Sequence, residues 1–141
     1  METELAFEEW KKTVPDRLSS DPLWKSVYYQ LAMHLYDLVW DDCKDLRKDF
    51  RGREIGRQLI RSAGSISANV EEAYGRGIGT PDCVRILRIA LGEAEETQGW
   101  YFRARHIIPD HVLKTCIDIY SQIISLLVNA ISRHRRQINC D

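Results

Sequence analysis

Small residues crowd one stretch of the chain, residues 61–79, which reads RSAGSISANVEEAYGRGIG. Glycine and serine are poor helix formers, yet the apolar residues in and around this stretch recur at helical spacing. A helix with so many small side chains is typical of a segment against which another element packs closely. The stretch therefore favours a protein of closely packed helices, and its glycines from Gly75 to Gly79 predict where this helix ends.

Three further segments show helical periodicity, and clear start signals separate them. Asp21-Pro22 and Thr80-Pro81 each combine a capping side chain with a proline suited to the first helical position. The predicted long helices cover residues 22–46, 53–74, 81–107 and 111–136. With short connections and no strand pattern, the sequence predicts an all-α protein, an up-down-up-down antiparallel four-helix bundle over residues 21–137. Residues 1–20 are predicted to be an N-terminal extension with one short helix.

The first long helix carries two apolar stripes on roughly opposite sides, so the core can cover only one of them. The first stripe runs from Trp24 through Leu35 and Leu38 and is apolar until Asp42. We interpret the second as a subunit interface, formed by Tyr29, Met33, Tyr36 and Trp40. The broad apolar face of the last helix also favours self-association. The alternative is a monomer in which the N-terminal segment covers the second stripe.

Arginines supply the functional signal that the residues themselves carry. The net charge of −1 excludes a polycation that coats nucleic acid, but most arginines follow residue 50 and several share a helix face. Arginine suits phosphate contacts because its guanidinium is a fixed fork of donors. The predicted nucleic-acid contacts are Arg53, Arg57, Arg61, Arg76, Arg85, Arg88, Arg133, Arg135 and Arg136. The alternative is a solvated face whose arginines pair with acids.

Other chemistries find little support in the sequence. The Glu-x-x-His pairs of di-metal bundles do not occur, so no metal and no cofactor are predicted, and an enzyme is the weakest hypothesis. GRGIGTP follows a helix rather than a strand and lacks the ending of a phosphate-binding loop. The four cysteines lie far apart, and no signal peptide or run of about 18 apolar residues is present, which favours reduced thiols, no membrane contact and a cytoplasmic protein.

Two further expectations concern packing inside the bundle. Arg61, Asn69 and Glu72 could form one buried polar set that fixes the register of the helices, or they could face a partner. Gly92 and Gly99 are costly inside a helix, so they predict a close contact on the third long helix.

Residues 57–77, RQLIRSAGSISANVEEAYGRG, resemble a four-helix-bundle family associated with intervening sequences in bacterial 23S ribosomal RNA genes. The same superfamily includes the accessory variability protein of diversity-generating retroelements. The similarity rests on Gln58-Leu59, Arg61, Ser65-Ile66, Ala68-Asn69, Glu72 and Gly75-Arg76, and on Ala90-Leu91-Gly92 with Glu96. Glu93 stands where the family commonly has a serine. The resemblance implies structural roles for Ser65, Asn69, Glu72, Gly75 and Glu96.

The same resemblance implies a homopentameric ring, which in the retroelement branch binds a reverse transcriptase and nucleic acid, and it brings no catalytic residues. Our leading hypothesis is a non-enzymatic, ring-forming accessory protein that docks a partner protein such as a reverse transcriptase, and RNA or DNA, through its arginines. The second hypothesis is a purely structural or protein-binding oligomer without a nucleic-acid role.

Overall fold

A computed structural model describes residues 2–140, with side chains at residue 4 and residues 6–139. Over these residues the chain is helical and contains no strand, which confirms the prediction of an all-α fold. The α-helices are α1 (Glu2–Lys11), α2 (Asp16–Ser19), α3 (Val27–Leu46), α4 (Phe50–Arg76), α5 (Pro81–Arg103) and α6 (Asp110–Cys140). Two short 3-10 helices cover Pro22–Lys25 and Ala104–His106.

Side-chain caps set where α4 and α5 begin. The Asp49 carboxylate accepts a hydrogen bond of 2.8 Å from the backbone N–H of Arg51, and the Thr80 hydroxyl accepts one of 3.2 Å from the backbone N–H of Cys83. The Thr80 start was predicted. α4 begins at Phe50 rather than at residue 53, because Asp49, which lies in a charged segment that reads as a connection, is itself a helix cap.

The predicted helix over residues 22–46 is divided in two. Asp21 does cap the backbone N–H of Leu23 at 2.9 Å, but the cap starts the 3-10 helix Pro22–Lys25 rather than α3. Ser26 is extended, with ψ of 117°, and separates the two helices. The prediction of one continuous helix is therefore wrong at its first turn, because the single extended residue leaves the apolar spacing almost unchanged.

Glycine ends α4 at the predicted place. The helix stops at Arg76, and Gly77 and Gly79 have φ of 105° and 81°, a region that side chains rarely enter. Gly75 lies inside the helix, and a Cβ placed there would meet nothing within 4 Å. The stop therefore depends on Gly77 and Gly79.

Each of the four long helices packs against the next, and α6 packs against α3. α3 and α4 run antiparallel, and in their hydrogen-bonded pairs the two residue numbers add up to 99 or 100. These pairs are Ser26 with Tyr74 at 2.6 Å, Tyr29 with Glu71 at 2.6 Å, and Cys43 with the carbonyl of Gly56 at 3.9 Å. Ser62 and Thr97 join α4 to α5 at 2.8 Å, and Gln98 donates to the carbonyl of Ile117 on α6 at 3.0 Å.

One stretch of α6 is rich in apolar residues. In the described part of the chain it is the one helix whose length and composition would allow it to cross a membrane, with a mean hydropathy of 1.3 over its most apolar window. A core helix passes the same test, and Tyr120, Ile123 and Leu127 of α6 are fully buried against the other helices. Core packing therefore accounts for part of its apolar content, since 39% of that window is buried.

The glycines that pack closely are on α4, and the expectation for α5 is wrong. A Cβ on Gly92 would meet nothing within 4 Å, and one on Gly99 would meet only the flexible side chain of Arg103. By contrast, a Cβ on Gly52 would clash with the backbone carbonyl of Leu46. The close approach lies where the chain turns from α3 into α4.

α1 packs on the side of α3 that lies between the two predicted apolar stripes. The indole N–H of Trp10 donates to Asp37 at 2.7 Å, and the rings of Phe7 and Trp10 lie 5.4 and 5.1 Å from that of His34. Burial lowers the pKa of His34, against the opposing effect of Asp37. The N-terminal segment thus covers His34 and leaves Trp40, on another side of α3, uncovered.

Candidate interaction surfaces

An apolar groove runs between α3 and α4 on the outside of the protein. Gly64 approaches the ring of Tyr36, since a Cβ there would lie 3.4 Å from Cε2. Farther along, Cys43 contacts Gly56. Trp40 lies between these two contacts on α3 and Ile60 lies between them on α4, so both face the groove. Trp40 is 63% exposed and Ile60 39% exposed, which leaves a large apolar area open to solvent. We call this surface the α3–α4 groove.

The four residues predicted as a subunit interface have different surroundings. Tyr29 is buried within its own chain, where its hydroxyl donates to Glu71, and burial together with this partner raises the pKa of Tyr29. Met33 and Tyr36 are half-buried. Only Trp40 presents most of its side chain to solvent. A partner could therefore reach Trp40 and the edges of Met33 and Tyr36, while Tyr29 serves the packing of α3 on α4.

Two arginines of the predicted basic row border this groove. Arg53 and Arg57 are exposed and, with Ile60, line a cavity of about 200 Å³. Arg53 donates to the carbonyl of Arg47 at 3.3 Å. The basic row and the apolar groove, which the sequence presents as separate features, thus meet on one surface.

Arg61, the third member of the row, faces α5 instead. Its guanidinium pairs with Glu96 and, at 3.4 Å, with Glu93. Glu96 also accepts a 2.8 Å hydrogen bond from the indole N–H of Trp100. Glu93 is therefore one of two carboxylates that balance Arg61. This arginine joins α4 to α5.

Arg76 and Arg85 are also balanced by acids. Arg76 pairs with Glu72 at 3.0 Å and with Asp82 at 3.1 Å, and Arg85 pairs with Asp82 at 2.8 Å. These contacts, that of Arg85 first, lower the pKa of Asp82. All of these groups are solvent-exposed, so the pairs contribute little to stability, but they reduce the charge available to a phosphate.

The family-motif residues near the end of α4 have local partners. Asn69 donates to the carbonyl of Ser65 at 2.7 Å, one turn back in the same helix. Glu72 pairs with Arg76, whereas Arg61 pairs with α5. The interpretation of Arg61, Asn69 and Glu72 as one buried polar set is therefore wrong, because they make three separate contacts.

A second groove, between α5 and the end of α6, is basic. Arg85, Arg88 and Arg135 line a cavity of about 510 Å³, together with Val84 and Ile138. Among the described side chains, no carboxylate forms an ion pair with Arg88 or Arg135. Arg133 and Arg136 are exposed on the same helix end. Of the predicted nucleic-acid contacts, Arg53, Arg57, Arg88 and the three arginines on α6 form no ion pair with a carboxylate among the described side chains.

The described side chains show no cluster suited to a metal: no group of three or more His, Cys, Asp or Glu comes together. Cys43, Cys83 and Cys116 are free thiols. Burial raises the pKa of each, that of Cys116 to about 12, so few of these thiols are ionised at neutral pH. Cys140 lies outside the described side chains.

One surface was missed by the sequence analysis. Phe50 and Phe102 are 68% and 54% exposed, at the end of the protein formed by the α3–α4 and α5–α6 connections. The guanidinium of Arg105 lies 4.3 Å from the ring centroid of Phe102, and that of Arg51 lies 5.7 Å from that of Phe50. The spacing of Phe102 and Arg105 by three residues on a helical turn is a signal that could have revealed it.

These features define a class of small all-helical protein whose distinguishing parts are outward-facing surfaces: one apolar groove, one basic groove and one end rich in arginine and aromatic side chains. The family model described as 23S rRNA-intervening sequence protein matches residues 25–129. The chain therefore belongs to the 23S rRNA-intervening sequence protein family.

Structural comparison agrees with this assignment. A crystal structure of a protein with unknown function from the S23 ribosomal protein family of Bacteroides thetaiotaomicron superposes with a TM-score of 0.65 at 27% sequence identity. The match covers 75% of this chain and 96% of that one. No curated protein matches the sequence. Neither the family nor the structural relative is described with an enzymatic activity.

Proposed function

We propose that this protein is a non-enzymatic accessory protein of the cytoplasm that forms a ring, as a homopentamer, and docks a partner protein and RNA or DNA. Each copy would be an up-down-up-down four-helix bundle over residues 21–137 with an extension over residues 1–20. The observation that carries the proposal is the exposed Trp40–Ile60 pair in the α3–α4 groove.

Several properties of the groove support a subunit interface. Exposed apolar patches bordered by polar residues mark interaction sites on helical proteins as on others, and here Arg53 and Arg57 form the border. Tryptophan and arginine are also the residues that contribute most to binding at protein interfaces. The α3–α4 groove would meet a different surface on the next copy, as a closed ring requires.

The nucleic-acid part of the proposal relies on the family and on the basic groove. The family name refers to a sequence within 23S ribosomal RNA, and Arg88 and Arg135 line the basic groove without a carboxylate partner among the described side chains. A reverse transcriptase as the docked protein follows the resemblance to retroelement accessory proteins. A ring would repeat the basic groove and raise the avidity for a long strand without any new contact.

Native molar mass by light scattering, at low and high salt, tests the ring. We expect about five times the chain mass at both salts, because burial of apolar area is little affected by salt. Trp40→Glu and Ile60→Glu should each give a smaller species with unchanged helical circular dichroism. Val27→Glu is the matched control, since Val27 is exposed on the same helix. If both groove variants keep the wild-type mass, the groove is not the interface.

A second candidate function is a purely structural or protein-binding oligomer. The carboxylate partners of Arg61, Arg76 and Arg85 favour it, since they balance three of the nine arginines predicted to contact nucleic acid. Binding of labelled RNA and DNA as a function of salt separates the two, because phosphate contacts lose affinity steeply as salt rises. Arg88→Gln with Arg135→Gln should weaken such binding if the basic groove contributes.

A further inference from the structure

We propose that the end of the protein formed by the α3–α4 and α5–α6 connections binds unpaired nucleotides of a single-stranded nucleic acid. This inference rests on the nucleic-acid part of the proposed function. It adds the class of ligand and a binding site separate from the basic groove. Two phenylalanines, Phe50 and Phe102, stand more than half exposed there, although large apolar rings are normally buried. Each carries an arginine over its ring.

The two connections form one surface. A Cβ on Gly52, in the first turn of α4, would lie 2.8 Å from Cδ1 of Ile107, beyond the end of α5. Residues of both connections line a shared cavity of about 400 Å³, including Asp49, Arg51, Arg103 and His106. The aromatic and basic side chains of the two connections therefore belong to the same end of the molecule.

The charge of this end differs from that of the whole chain. Residues 47–54 and 102–111 contain six lysines and arginines against three acids, a net charge of +3, whereas the whole chain has −1. Arg51 is held by Asp49, with contacts of 3.0 and 2.8 Å. Among the described side chains, no carboxylate pairs with Arg103 or Arg105. These two arginines supply the available charge.

The arginines are held in place beside the rings. Arg105 donates to the backbone carbonyl of Phe102 at 3.1 Å while its guanidinium lies over the ring. Arg103 lies 4.5 Å from the ring centroid of Trp100, and the indole N–H of Trp100 is fixed by Glu96. These contacts reduce the side-chain freedom that would be lost when a ligand binds, which favours affinity.

This combination fits unpaired nucleotides better than an acidic peptide or a duplex. Bases stack on exposed aromatic faces, and arginine adds a cation–π contact and a phosphate contact beside them. A duplex buries its base faces, so it could use only the charge. An acidic peptide would also use the guanidinium groups but would gain nothing from the faces of Phe50 and Phe102.

The experiment measures fluorescence anisotropy of a labelled single strand of about 12 nucleotides, as RNA and as DNA, and of the same sequence in a duplex. We expect the full-length protein to bind both single strands more tightly than the duplexes. Phe102→Leu and Phe50→Leu should each weaken single-strand binding by roughly 5- to 150-fold and leave the salt dependence unchanged. Arg103→Gln and Arg105→Gln should each lower the salt slope by about 0.7.

Leucine keeps the apolar character of these exposed positions, and circular dichroism and native mass of each variant check that fold and assembly are intact. If duplexes bind as well as single strands, or if the leucine variants bind as wild type, the stacking site is overturned. If binding is then lost only in the double variant Arg88→Gln with Arg135→Gln, the proposed function still holds. Poly-glutamate is added as a competitor for the bound strand. If it displaces the strand from wild type and from the leucine variants equally well, this end binds an acidic protein partner and the inference is overturned. The ring is judged separately, by native mass.

Discussion

The phenol rings of Tyr101 and Tyr120 lie 5.6 Å apart in the core, and their hydroxyls have opposite surroundings. The Tyr101 hydroxyl donates to Asp42 on α3 at 2.7 Å. The Tyr120 hydroxyl is buried and has no hydrogen-bond partner among the described residues. The Tyr101 hydroxyl therefore joins α5 to α3. The Tyr120 hydroxyl loses its hydrogen bonds to water on folding and gains none from the described residues.

Removing the Tyr101 hydroxyl and removing the Tyr120 hydroxyl should change the free energy of unfolding differently. Tyr101→Phe leaves the half-buried Asp42 carboxylate without its donor, so we expect the free energy of unfolding to fall by about 1–3 kcal/mol. Tyr120→Phe removes an unpaired buried polar group, so we expect no loss or a gain of about 1 kcal/mol. Denaturant unfolding followed by circular dichroism measures both. Equal destabilisation by the two substitutions would show that Tyr120 has a partner in solution.

Asp42 should make stability depend on pH. Burial raises the pKa of Asp42 despite the hydrogen bond from Tyr101, so the folded state binds this proton more tightly than the unfolded state. The stability that Asp42 contributes through this proton is fully present below its ordinary pKa of about 3.8. It is lost as pH rises through the raised pKa. Asp42→Asn stays uncharged and keeps an acceptor for Tyr101. The variant should therefore gain stability relative to wild type from about pH 4 to pH 7, by about 1.4 kcal/mol per unit of pKa difference.

Urea unfolding at a series of pH values measures this difference. Glu54→Gln is the control, because Glu54 is exposed and is not among the groups that raise the pKa of Asp42. A constant difference between wild type and Asp42→Asn across this range would mean that Asp42 keeps an ordinary pKa in the folded protein.

Two glycines in helices should show opposite effects of the same change. Gly52→Ala places a methyl group against the carbonyl of Leu46, which is backbone and cannot move aside cheaply, so we expect a loss of about 1–3 kcal/mol. Gly92→Ala meets only open space, so it should gain about 0.5–1 kcal/mol from helix propensity. Thermal unfolding of the two variants checks the pair. A loss at Gly92 would reveal a contact made by another copy or by a partner.

Much of the helical framework could be predicted from the sequence because its signals are local. Thr80-Pro81 and the glycines after Arg76 act on the backbone within a few residues of themselves, so their effect needs no knowledge of the fold. Asp49 was overlooked because acids are common in connections, and only the adjoining turn shows that it caps α4. The split at Ser26 was hidden because one extended residue hardly disturbs an apolar pattern.

The candidate surfaces depended on tertiary contacts, and here the sequence was a poorer guide. Four-residue spacing places Arg53, Arg57 and Arg61 in a row, but it cannot tell that Glu93 and Glu96 lie across from Arg61. Likewise, Tyr29 and Trp40 share a stripe, yet α4 covers only Tyr29. Which side of a helix is open is decided by its neighbours, not by its own periodicity.

The nearly constant sum of residue numbers in the pairs between α3 and α4, 99 or 100, bears on how such chains can vary in length. Extra residues in the connection at 47–49 leave every pair from Ser26–Tyr74 to Cys43–Gly56 opposite its partner, and longer loops cost little. One residue inserted within α3 turns everything beyond it by about 100° around the helix axis, which would carry Trp40 away from Ile60. Among relatives, insertions and deletions should therefore gather in the connections, while the helices between them keep their length.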